Sequence, residues 1–261
     1  MKLPRMAATT LAYLVAVALG GPALAQPVKN IVLVHGAFAD GSSWAKVIPI
    51  LQSKGYNVTA VQNPLTSLAD DVAATNRALA LQNGPVILVG HSWGGVVITE
   101  AGMDPKVAGL VYVAAFGPDS GEAVGDLGKA YPPPPALAAP IVDKQGFLSL
   151  STEAVVKHFA SDLPPAEARV VAATQGPINA SAFAAQVSAA AWKMKPSWYI
   201  VSKLDGAIAP DEERFFAKRM KATTTELNTS HVPMLSQPKA VAAVIMAAAA
   251  KASVRTDEAP H

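Results

Sequence analysis

The chain has 261 residues, 51% of them apolar and 15% charged, which excludes a mostly disordered protein and leaves room for one large domain with a full core. It has no cysteine, so disulfides and thiolate-based metal sites are excluded. Lys and Arg number 21 against 19 Asp and Glu; leaving out Lys2 and Arg5 makes the two equal, and no basic cluster marks a nucleic-acid partner.

Lys2 and Arg5 open an N-terminal segment that is mostly apolar over 7–19. Gly20, Gly21 and Pro22 break it, and Ala23-Leu24-Ala25 forms an A-x-A cleavage site before Gln26. The run is shorter than the roughly 20 apolar residues that span a bilayer. Residues 1–25 are expected to be a cleaved secretory signal. That places the mature chain in the periplasm or outside the cell, with no membrane attachment.

Apolar β-type runs then alternate with helical stretches. Ile31-Val32-Leu33-Val34 reads as a buried strand, 42–54 as a helix ended by Gly55, and 57–61 as a second strand. A helix over 67–81 opens with a serine cap. Strands follow at 86–89 and 107–115, with a helix between them. From 118 to 195 the rhythm breaks into an irregular, mostly helical insertion containing Pro132-Pro133-Pro134-Pro135, which cannot continue a helix and stiffens the chain. Strands resume at 198–201 and 224–227, separated by a helix near 210–220. A terminal helix covers about 237–252; its apolar run, 240–250, is too short to span a membrane.

The pattern predicts an α/β fold: a doubly wound, mainly parallel six-stranded sheet with a helical cap inserted before the last two strands. The core is expected over 26–117 and 196–252, the cap over 118–195, and a frayed tail over 253–261. A cap there would cover the C-terminal edge of the sheet, where open α/β sheets bind ligands.

Gly90-His91-Ser92-Trp93-Gly94 stands between a strand and a helix. G-x-S-x-G in that setting is a nucleophile elbow, a sharp turn that lifts a serine hydroxyl above the sheet. The plainer reading is a Gly-rich turn whose serine caps the helix. A serine nucleophile needs a base, and the base an orienting acid. Of five histidines, His35 ends the first strand and shapes a loop, His91 lies inside the elbow and points away from the serine face, His158 is in the cap, and His261 is terminal. His231 lies after the last strand, on the edge that carries the elbow. Asp205 follows the preceding strand and is the expected acid; its rival, Asp211, follows Pro210 and reads equally as a first-turn helix acid. Oxyanion donors are expected at Trp93 N–H, next to the serine, and Ala37 N–H, in the loop His35-Gly36-Ala37-Phe38. Phe38, Phe116, Phe147, Phe159, Trp192 and Met234 are candidate pocket walls. No nucleotide, flavin or metal motif is present, and no cofactor is expected.

In order and spacing these motifs, with His231-Val232-Pro233-Met234, resemble the α/β-hydrolase superfamily. The H-G-A loop, the single cap and a first strand close to the mature N-terminus are similar to the small cap-bearing group of methyl-ester esterases and hydroxynitrile lyases. The resemblance covers about 29–251 and implies hydrolysis of small apolar or aromatic carboxylic esters through an acyl-serine. It also admits lyase or perhydrolase chemistry on the same triad, the lyase needing a cap lysine such as Lys129, Lys144, Lys157, Lys193 or Lys195. A catalytically inactive, ligand-binding member is the remaining alternative. The expected partner is a small-molecule ester.

Overall fold

The computed structural model describes residues 28–252. The secretory segment and the C-terminal tail expected from the sequence lie outside the described residues.

Four strands are buried along their whole length: β1 (Asn30–Val34), β3 (Val86–Ser92), β4 (Val107–Ala115) and β8 (Ser197–Ser202). Their uninterrupted apolar runs follow from helices covering both faces of the sheet. α3 (Trp93–Ala101) packs on β3 and β4 and against α2 (Leu68–Ala80). α9 (Pro238–Lys251) packs on β3, β4 and β8 and against α1 (Ile48–Ser53). The strands β2 (Asn57–Val61) and β9 (Thr223–Leu227) are the most exposed and the richest in threonine and other polar residues, and they form the edges.

The sheet order is β2-β1-β3-β4-β8-β9, with every neighbouring pair parallel. The chain runs outward from β1 to β2 and then returns to place β3 on the other side of β1. This reversal brings the loops after β1 and β3 together, at the position where such sheets bind ligands.

Local signals decide most helix starts. Ser67 accepts the Asp70 N–H at 3.1 Å and caps α2, as its position predicts. The single helix expected over 42–54 is instead two pieces, a tight turn at Gly41–Trp44 and then α1. Pro49 sits in the first turn of α1, where its missing N–H does no harm, and it prevents one continuous helix. α7 (Pro210–Arg219) follows the same rule, with Pro210 at its start.

Between β4 and β8 the insertion is not wholly helical. It holds α4 (Val124–Leu127), α5 (Thr152–Ala154) and α6 (Pro165–Thr174). It also carries an antiparallel sheet of β5 (Ile141–Val142), β6 (Phe147–Ser149) and β7 (Ile178–Asn179). These strands are two or three residues long, too short to show alternation in the sequence. After β9, one turn of helix, α8 (Pro233–Ser236), precedes α9. Among the described residues no helix is long and apolar enough to cross a membrane.

Candidate active site

Ser92 ends β3 with φ 54° and ψ −121°, a strained backbone for a residue with a side chain. The strain persists because the turn is pressed from both sides. A Cβ on Gly90 would stand 2.4 Å from the Gly94 carbonyl oxygen, and one on Gly94 would stand 2.5 Å from that of Val34. The strand-to-helix turn therefore closes only with glycine at both positions.

Gly36, in the loop after β1, presses on the elbow itself: a Cβ there would lie 2.6 Å from Ser92 Cβ. His35 fixes this loop. Its Nε2 accepts the Asn63 N–H at 2.9 Å, so Nδ1 carries the proton and donates to the Gly36 carbonyl at 2.8 Å. Burial lowers the His35 pKa, in keeping with a neutral ring. The next two N–H groups differ. That of Phe38 donates to Gly176 O at 3.2 Å, whereas that of Ala37 has no acceptor among the described residues. Trp93 is the first residue of α3, and first-turn N–H groups have no partner inside their helix. Ala37, Ser92 and Trp93 line one cavity.

His231 and Asp205 complete the arrangement. Asp205 Oδ1 accepts the N–H groups of Ala207 at 2.6 Å and Ile208 at 2.9 Å, which fixes the carboxylate at the start of the loop into α7. Its Oδ2 lies 2.5 Å from His231 Nδ1. A carboxylate accepts, so Nδ1 carries the proton and Nε2 keeps its lone pair. Nε2 has no hydrogen-bond partner among the described residues, and His231 lines the same cavity as Ser92. Asp211, the rival acid, is exposed and paired with Arg214, so it is a helix-start acid and no part of this cluster.

Two rings hold the His231 imidazole. Phe159 lies edge-on with centroids 4.7 Å apart, and His91 lies at 4.7 Å on a 52° tilt. Phe159 ends a wide turn, Val155–Phe159, closed by a 2.8 Å bond from Ala160 N–H to Val155 O. His91 reaches an unforeseen partner: its Nε2 lies 2.7 Å from the His231 carbonyl. A carbonyl only accepts, so this nitrogen donates. Burial, then the neighbouring His231, hold the His91 pKa well below 6.5, leaving a neutral ring. Behind Asp205, Glu213 on α7 is fully buried and accepts the Ser202 N–H at 3.0 Å. Burial and then the adjacent Asp205 push its carboxyl well above the usual range.

The cavity measures about 230 Å³. Of the candidate walls, Phe38, Phe116 and Phe159 line it and three do not. Phe147 lies in the small cap sheet, on β6. Trp192 is buried away from the cavity, its Nε1–H bonded to Pro118 O at 2.8 Å and its ring beneath Arg219. Met234, in α8, is fully buried in the core. The cap instead supplies Phe183, Leu137, Val124 and two of the four consecutive prolines, Pro132 and Pro134. Phe183 meets the Trp93 ring edge-on at 5.5 Å, and Trp93 Nε1–H is anchored on Asp71 at 2.7 Å. Ala207 and Glu212 are further unforeseen walls, and Glu212 reads in sequence as one more acid in the first turn of α7. The cap lysines do not line the cavity: Lys129, Lys157 and Lys193 are exposed and paired with Asp126, Glu153 and Asp119.

Comparison with known proteins identifies the family. Residues 31–244 match the family described as "Alpha/beta hydrolase family". Methylesterase 2 of Arabidopsis thaliana is 26% identical, over 85% of this chain and 96% of the plant protein. The pyrethroid hydrolase of Sphingobium wenxiniae is 27% identical, over 84% and 86% of the two chains. The crystal structure of a pyrethroid hydrolase from Sphingobium faniae JZ-2 superimposes with a TM-score of 0.73 at 25% identity, covering 85% of this chain and 97% of the other. The match spans the sheet, the elbow and the loops that carry Asp205 and His231, and this chain belongs to the α/β-hydrolase family.

Proposed function

We propose that this protein is a serine hydrolase of small, largely apolar or aromatic carboxylic esters. Ser92 Oγ attacks the ester carbonyl carbon while its proton passes to His231 Nε2. The oxyanion that forms takes the N–H groups of Ala37 and Trp93, each such donor being worth about 3 kcal/mol in the transition state. Collapse expels the alcohol, which recovers the proton from His231. Water then attacks the acyl-Ser92 ester by the same route, releasing the acid and free serine. Asp205 holds the productive imidazole tautomer and stabilises the imidazolium without taking the proton.

The observation that carries this reading is the 2.5 Å bond from His231 Nδ1 to Asp205, which leaves Nε2 unpartnered in the cavity that Ser92 lines. Relatives named as a methylesterase and a pyrethroid hydrolase support ester cleavage. No cap lysine stands ready to serve a lyase reaction. A panel of p-nitrophenyl esters of increasing acyl length, with Ser92→Ala as control, tests the proposal, together with a fluorophosphonate probe that should label Ser92 alone. An ester-cleaving protein whose Ser92 stays unlabelled refutes it. We further propose that the protein is exported and begins at Gln26, which the intact mass of the exported chain checks.

A further inference from the structure

Of the side chains lining the cavity, only four carry a polar atom: Ser92, His231, Trp93 and Glu212. The first two belong to the proposed reaction, and the indole N–H is committed to Asp71. Glu212 is unexplained. It is 4% exposed, and its Oε1 is buried with no hydrogen-bond partner among the described residues. Gly128 of the cap lies against it and brings no polar side chain: a Cβ there would only touch the two carboxylate oxygens at 3.9 Å. Buried carboxylates are normally paired, because an unpaired one forfeits its hydration without return. A leucine at this position would line the cavity at less cost to folding.

We propose that Glu212 is a specificity residue that accepts a hydrogen bond from an O–H or N–H donor, best an ammonium, on the non-reacting part of the ester; the assignment rests on the ester-hydrolase reading above. The ligand it selects is apolar where it meets Phe159, Phe183 and Leu137 and carries one donor for Glu212. An ester bearing a second carboxylate is rejected by like charge.

The charge state of Glu212 gives the proposal a signature. Burial, then the nearby Asp205, raise its carboxyl to about 7. The other titratable groups around it are His231 in the same cavity, Tyr131 from the cap, Tyr199 on β8, and Asp211 and Glu213 on its own helix. Below neutral pH Glu212 is uncharged and holds an ammonium weakly; above it, the carboxylate holds the ammonium well.

The test uses three methyl phenylacetates that differ only at the 4-position: ethyl, hydroxymethyl and aminomethyl. The kcat/KM of each is measured from pH 5.5 to 8.5 on the wild type, Glu212→Gln and Glu212→Leu. Taking the ratio of two substrates cancels every pH effect that both share. The aminomethyl-to-ethyl ratio should be at least about tenfold higher for the wild type at pH 8 than for Glu212→Leu, as a charge-assisted hydrogen bond provides. It should fall as pH drops through neutrality. Glu212→Gln should keep part of the hydroxymethyl preference and lose the pH dependence of the aminomethyl one. Ratios that are equal in wild type and Glu212→Leu, or flat with pH in the wild type, overturn the proposal. Titration calorimetry with benzylamine separates this failure from failure of the ester-hydrolase reading. If no ester is cleaved, saturable benzylamine binding that Glu212→Leu weakens about tenfold still supports Glu212 as the acceptor of the ligand's ammonium, and equal binding by both proteins overturns it.

Discussion

Glu212 makes a prediction about stability that needs no substrate. Its carboxyl titrates near 7 in the folded chain, against 4.5 when solvated. At about 1.4 kcal/mol per pH unit, that difference amounts to roughly 3 kcal/mol, a ceiling because the cavity admits some solvent screening. The sign follows from the protons. Below pH 4.5 both states hold the proton and nothing is lost. Between 4.5 and 7 the unfolded chain releases it and the folded chain does not, so stability declines as pH rises. Above 7 both states are ionised and the full loss persists. Glu212→Gln removes this titration and leaves the other groups in place. The melting temperature of the variant minus that of the wild type should therefore climb between about pH 4.5 and 7 and then level off. At about 2–4 °C per kcal/mol for a domain of this size, the climb is at most roughly 6–12 °C. Differential scanning calorimetry at half-unit pH steps measures it. Parallel melting curves, with a constant offset from pH 4 to 8, would refute the argument that Glu212 is buried without a partner.

The remaining predictions concern the serine cluster. Asp205→Asn should lower kcat for a p-nitrophenyl ester by about 10⁴-fold, because the amide no longer holds the productive tautomer, while Asp211→Asn should stay close to wild type; the reverse ranking would reassign the acid. His91→Ala removes both the donor to the His231 carbonyl and the ring beside the imidazole, and should lower kcat by roughly ten- to a hundredfold with little change in KM. An unchanged kcat would mean that Asp205 and Phe159 position the imidazole unaided. Gly90→Ala would drive a methyl group to 2.4 Å from the Gly94 carbonyl oxygen and should lose at least about 1–3 kcal/mol in urea unfolding, with loss of fluorophosphonate labelling. A stable, fully labelled variant would show that the elbow can relax.

The sequence by itself determined the frame of this protein. The runs in β1, β3, β4 and β8 are apolar without alternation because both faces are covered, so composition alone marks them as interior strands. Ser67, Pro210 and the glycines around Ser92 act over a few residues, and such short-range chemistry is legible without coordinates. The order of Ser92, Asp205 and His231 along the chain followed from the same strand count. Tertiary structure alone decided the rest. The return of β3 beside β1 sets Gly36 against Ser92, and only that contact, with the use of the Phe38 N–H by Gly176, singles out Ala37 as a free donor. His91 was legible as part of the elbow, but its bond to the carbonyl of His231, 140 residues away, was not. The cavity walls were the least legible part. An aromatic residue in an irregular cap has the same sequence signature whether it faces a cavity, like Phe183, or supports a loop, like Trp192. Glu212 shows the same limit: Asp211, Glu212 and Glu213 are consecutive acids in one helical turn, and the rotation of α7 against the sheet places one in solvent, one in the cavity and one behind Asp205.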